Sequence, residues 1–137
     1  MSSASFALQT AVFAALNADT GVQSVLGNPP RLFDAVPRDA AFPYAVLGDA
    51  AETNYGTATE SGSEHAFAID VWSRSTGHRE PKQIAEAIRA ALDGAPLNLA
   101  GHALIGLRHL RTDFARQSDG QTWRATLRFR AVTEPTP

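Results

Sequence analysis

Apolar residues in the first part of the chain recur at helical spacing. Leu8, Ala11, Val12, Ala15 and Leu16 follow an i, i+3, i+4, i+7, i+8 pattern with Phe6 and Phe13 beside them, which predicts a helix over Ser3 to Ala18. Ser2 or Ser3 can cap it, since a hydroxyl there accepts a bond from a first-turn N–H that has no other partner. Asp19-Thr20-Gly21 ends it, Val22 to Leu26 adds one short turn, and Gly27-Asn28-Pro29-Pro30 forces a break. A second stripe, Ile84, Ala87, Ile88, Ala91 and Leu92, predicts a helix from about Glu80 to Asp93, closed by Gly94 and Pro96. On its polar side Lys82–Glu86 and Arg89–Asp93 have the i, i+4 spacing of ion pairs.

Elsewhere the period is two. Glu64 to Ser73 is the clearest strand, with Phe67, Ile69 and Val71 on one face and Ala66, Ala68, Asp70 and Trp72 on the other. Arg31 to Val36, stopped by Pro37, and Pro43 to Ala51 read as two further strands. Ala103 to Arg116 carries its apolar parity on Ile105 and Leu107, then on Leu110, Thr112 and Phe114, which calls for a bulge or bend near Arg108. Ser118-Asp119-Gly120-Gln121 is a hairpin turn, because Asp-Gly tolerates the positive φ angles such turns need. Thr122 to Val132 closes the pattern, with Trp123, Ala125, Leu127 and Phe129 opposite Arg124, Thr126, Arg128 and Arg130. The polar segment Glu52 to Ser63 is either a long hairpin loop or a pair of projecting strand extensions, and Thr133 to Pro137 reads as a loose tail. Hairpin connections dominate, so the expected fold is α+β: one domain over residues 1–137, its mostly antiparallel sheet covered on one face by two helices.

Composition mainly excludes. In 137 residues there is no cysteine, which removes disulfides, thiolate metal sites and thiol catalysis. Met1 to Asn28 has no Lys or Arg, unlike a secretory signal, and no apolar run approaches the ~20 residues that span a bilayer, so no membrane partner is expected. The formal net charge of -2 conceals a skew. Residues 31–63 carry two Arg against five acids, whereas residues 97–132 carry six Arg against Asp113 and Asp119. That skew reflects either a GC-rich coding sequence, in keeping with the abundant Ala, or a polar interface between copies, acidic patch to basic patch.

Catalytic signatures are missing. His65, His78, His102 and His109 fall on different predicted elements without the close spacing of metal ligands, so neither a metal nor a cofactor is expected. No serine elbow, phosphate-binding glycine loop or second carboxylate for Asp70 is present, and no enzyme is expected. Arg124, Arg128 and Arg130 have no aromatic platform on their own face for stacking bases, and the chain is slightly acidic, which argues against nucleic-acid recognition.

Several segments together resemble a known family. They are Arg31-Leu32-Phe33-Asp34-Ala35-Val36-Pro37, then Phe42-Pro43-Tyr44-Ala45-Val46-Leu47-Gly48, then Asp70-Val71-Trp72-Ser73. The Ile84-Ala85-Glu86-Ala87-Ile88 helix ending at Leu92 and the Asp119-Gly120 hairpin complete the set. This succession resembles the tail-completion or tail-terminator proteins of long-tailed bacteriophages, prophages and gene-transfer agents. The resemblance implies a virion structural protein, assembled in the host cytoplasm and located at the head-proximal end of the tail. It implies a homo-oligomer, a hexameric ring, that caps the tail tube, stops its polymerisation and meets the head-completion or stopper protein. It further implies that DNA passes through the lumen without sequence-specific binding. The alternatives are a small soluble binding module, adapting nucleic acid or protein, or an enzyme. If the chain forms a ring, its expected contacts are Tyr55 and Glu60 in the projecting segment, together with Asp49, Glu52 and Glu64 facing Arg124, Arg128 and Arg130 of a neighbour.

Overall fold

The computed structural model describes residues 3–57 and 61–136. Helix α1 spans Ala4–Ala18, and the Ser3 hydroxyl caps it by accepting from the Phe6 N–H at 3.1 Å. Asp19 does more than end α1. Its carboxylate accepts from the Val22 N–H at 2.9 Å and so starts a second helix, α2, over Thr20–Leu26, where the sequence pattern gives a single turn. Gly27, at φ 92°, closes α2. The third helix, α3, covers Arg79–Leu92.

Among the described residues five strands form one sheet: β1 (Leu32–Phe33), β2 (Tyr44–Asn54), β3 (Ser63–Ser73), β4 (His102–Arg116) and β5 (Trp123–Pro135). Their order is β1-β2-β3-β5-β4, antiparallel throughout except that β1 runs parallel to β2. The fold is therefore α+β as expected, with three helices on the sheet instead of two. No helix among the described residues is long and apolar enough to cross a membrane.

One core joins the two layers. Leu8, Val12 and Leu16 of α1, Val22 and Leu26 of α2, and Ile84, Ile88 and Leu92 of α3 pack on Ile69 and Val71 of β3 and Leu127 and Phe129 of β5. Phe67 and Phe129 stack across the β3–β5 seam, ring centroids 5.3 Å apart. The alternation of β3 and β5 read from the sequence places these side chains correctly.

Four local expectations need correction. The strand over Arg31 to Val36 shrinks to two residues, because the chain turns away before Pro37. The segment Thr133 to Pro135 is not loose: it continues β5, and Thr133 is buried and hydrogen-bonded to His65 at 2.9 Å. Strand β4 has two register shifts, between Leu104 and Gly106 and between His109 and Arg111. The extra residues Ile105 and Leu110 are each 57% exposed, although simple alternation places both inward. Glu86 pairs with Arg89 at 2.5 Å, while Lys82 lies 5.3 Å over the Phe114 ring.

Candidate interaction surface

The helices cover one face of the sheet, so the other face and the strand edges carry the exposed chemistry. Its charges are divided by hairpin. Residues 39–73, which include all of β2 and β3, contain no Lys or Arg and hold Asp39, Asp49, Glu52, Glu60, Glu64 and Asp70. Strands β4 and β5 hold Arg108, Arg111, Arg116, Arg124, Arg128 and Arg130.

Where the hairpins meet, opposite charges pair inside the chain. Asp70 accepts from Arg124 at 3.2 Å through each carboxylate oxygen and from the Thr126 hydroxyl at 2.8 Å. The Arg124 guanidinium also lies 5.3 Å from the Trp72 ring centre. Gly48 makes room for this cluster, since a Cβ there would come within 2.8 Å of an Asp70 oxygen. Six residues further along the seam, Arg130 Nε donates to Glu64 at 2.6 Å, and its guanidinium lies 5.9 Å from the Tyr55 ring. Arg124, Arg130 and Glu64, expected to reach a neighbouring copy, thus already have partners within the chain.

Arg128 differs. It is exposed and has no ion pair among the described residues. Across the β4–β5 ladder it stands opposite Arg111, and Arg108 stands opposite Arg130. Like charges directly opposite are unfavourable. Asp113, held low by its hydrogen bond to Arg111 at 2.5 Å and by the fields of Arg111 and Arg128, offsets part of this cluster.

Asp49 and Glu52 are exposed on β2, with no ion pair among the described residues. Asp49 sits at the β2 register shift between Leu47 and Ala50. It lines a shallow groove of about 260 Å³ with Ala66, Leu110 and Arg128. Tyr55 is exposed at the end of β2, and its N–H bonds the Gly62 carbonyl at 2.8 Å, so the projecting segment begins as paired strand extensions. Glu60 lies outside the described residues.

Near that end of the sheet His65 is buried, with Glu52 and His102 as its charged neighbours. Desolvation pushes its pKa below the ordinary 6.5, Glu52 acts the other way, and His102 adds to the lowering. At the β4–β5 turn, Asp119 accepts from the Thr122 hydroxyl at 2.6 Å and from the Thr122 and Gln121 N–H groups, which brings it from 3.8 to about 2. These groups shape turns and strand ends. Among the described residues no three His, Cys, Asp or Glu side chains are gathered to hold a metal ion.

Comparison with known proteins bears on the family and on the fold. The sequence model of the family described as "Tail completion protein gp17" matches residues 10–134. The chain belongs to that family. A curated relative, "Tail completion protein gp17" of Bacillus phage SPP1, is 25% identical over 93 residues, covering 68% of this chain and 69% of that protein. A chain in the solved structure "Virion of native gene transfer agent (GTA) particle" is 32% identical, with a TM-score of 0.89 over 98% of this chain and 99% of that one. As a tail completion protein the chain is a structural component of a phage-like tail. Alternation along the sequence places Ile105 and Leu110 inward, whereas both are exposed at the β4 register shifts, and the parity break along Ala103 to Arg116 is the signal that points to that strand.

Proposed function

We propose that this protein forms a ring, hexameric in the state the family resemblance implies, that caps the head-proximal end of a phage-like tail tube. The ring ends tube polymerisation and offers its outer surface to the head-completion protein, while DNA passes through its lumen without sequence-specific contact. It performs no catalysis and holds no cofactor in this role. The likeness to a chain of the gene transfer agent virion, nearly complete in both chains, carries the reading. The fold supports it in two ways. The sheet ends in two edges that the helices leave open, as a subunit with neighbours on both sides requires. The β2–β3 pairing runs out to Asn54 and Ser63, and the connection between these two strands is suited to docking on the tube or an adjacent subunit.

The test is assembly. Purified tail tube polymerised with this chain should acquire a ring at one end and stop lengthening. Deleting residues 54–62 should weaken attachment to the tube, read by co-sedimentation. Unchanged ring formation and attachment in that variant would remove the segment from the proposal.

A further inference from the structure

The β3–β5 seam shows how this chain joins an acidic hairpin to a basic one: Asp70 to Arg124 and Glu64 to Arg130, over apolar cross-strand contacts. The same two hairpins present their outer strands, unjoined, at the two sides of the sheet. Strand β1 covers β2 only at Ala45 and Val46, so among the described residues β2 from Leu47 to Asn54 has no strand on its outer side. On the far side, the turn after α3 closes part of β4: the Gly94 N–H donates to the Leu107 carbonyl at 2.8 Å, and the His109 N–H to Asp93 at 3.0 Å. From Leu110 to Arg116 β4 has no strand on its outer side. An open strand edge is a template for pairing with another chain.

The two free edges are opposite in charge. On β2 lie Asp49 and Glu52, exposed and without ion pairs among the described residues. On the open part of β4 lie Arg111 and Arg116, with Arg108 just before it; Arg111 stands opposite Arg128 and also pairs with Asp113, and the exposed Leu110 precedes it. We propose that the acidic β2 edge of one copy docks on the arginine-bearing β4 edge of a second copy, Asp49 meeting Arg111 with Leu110 at the contact and Glu52 and Arg108 flanking it. The contact is head-to-tail and uses one edge of each kind on every subunit, so copies close into a ring where the rotation between neighbours closes. The occupant is a second copy rather than DNA because the complementary acids are on this same chain. This inference rests on the ring reading above and names the surfaces that build it.

Two charge-reversed variants of the full chain test it: Arg108→Glu with Arg111→Glu, and Asp49→Arg with Glu52→Arg. All four sites are exposed, and thermal unfolding checks that each variant folds. Alone, each variant should associate at least ~10-fold more weakly than the unaltered chain in sedimentation and native mass measurements, since every contact now sets like charges together. Mixed in equal amounts, they should recover rings of alternating subunits, because both kinds of contact in the mixture are again complementary. Rings that persist in either variant alone, or a mixture that stays dissociated, overturn the edge assignment and leave the ring reading standing. An unaltered chain that is monomeric both free and on tube ends overturns both. Duplex DNA binding lost in the arginine variant while rings persist would assign the arginines to nucleic acid and overturn the proposal.

Discussion

The two hairpins of this sheet are built alike and charged oppositely. Each is a pair of long antiparallel strands with one register-shifted outer strand, β2 in one and β4 in the other. The β2–β3 hairpin has no cation, whereas β4 and β5 carry six arginines. Their inner strands meet in a seam that is apolar on the helix side and ionic on the open side. Their outer strands carry charges of the same signs, of which Asp49, Glu52 and Arg108 have no ion pair among the described residues. The difference teaches that one chemistry serves two purposes: along the seam it joins hairpins within a subunit, and along the edges it is available to join subunits.

The largest effect comes from breaking the seam on its apolar side. Phe129→Ala should lower the unfolding free energy by about 3–5 kcal/mol, because Phe129 is fully buried and stacked on Phe67. Urea unfolding measures it, and a loss under 1 kcal/mol would mean the seam is not part of the core. On the ionic side, Asp70→Ala leaves Arg124 and Thr126 without their acceptor. Arg124 is itself partly solvated, so the expected cost is about 1–2 kcal/mol, smaller than the apolar deletion. A double-mutant cycle with Arg124→Ala should recover part of it as coupling between the two strands.

Acidification sharpens the comparison at the end of the seam. The pKa of His65 is lowered in the folded chain, so between 6.5 and that lower value the unfolded chain binds the proton and the folded chain does not. Stability should be flat above about pH 7 and fall as pH drops through 6.5. His65→Gln should lessen that fall, whereas an identical pH profile in the variant would remove His65 as its cause. The smallest effect on folding belongs to the outer edge: Arg108→Ala should leave the unfolding midpoint unchanged while weakening association. A large loss of stability would show that Arg108 supports the subunit itself.

Much of this was legible in the alternation of residues. Phe67, Ile69 and Val71 on β3 and Leu127 and Phe129 on β5 read directly as an inward face, because regular strands turn alternate side chains to opposite sides. Strand β4 did not read so simply. Two inserted residues reset its parity twice, and composition cannot show whether an apolar residue at a bulge turns inward. The charge division of the chain was also legible, but its pairing was not. Whether Arg124 reaches Asp70 in its own chain or an acid in another depends on strand order, with β5 inserted between β3 and β4. Helix α2 escaped for a different reason: Asp19 terminates α1 and caps α2 at once, and a sequence pattern shows the stop more clearly than the start.

The central claim is that this tail completion protein ends a tube by assembling on it. Electron micrographs of tail tubes polymerised with and without the chain test this most directly. The account predicts one ring of this protein at a single end of each tube and tubes that no longer lengthen. Tubes of unaltered length distribution, with the chain unbound or scattered along their walls, would contradict it.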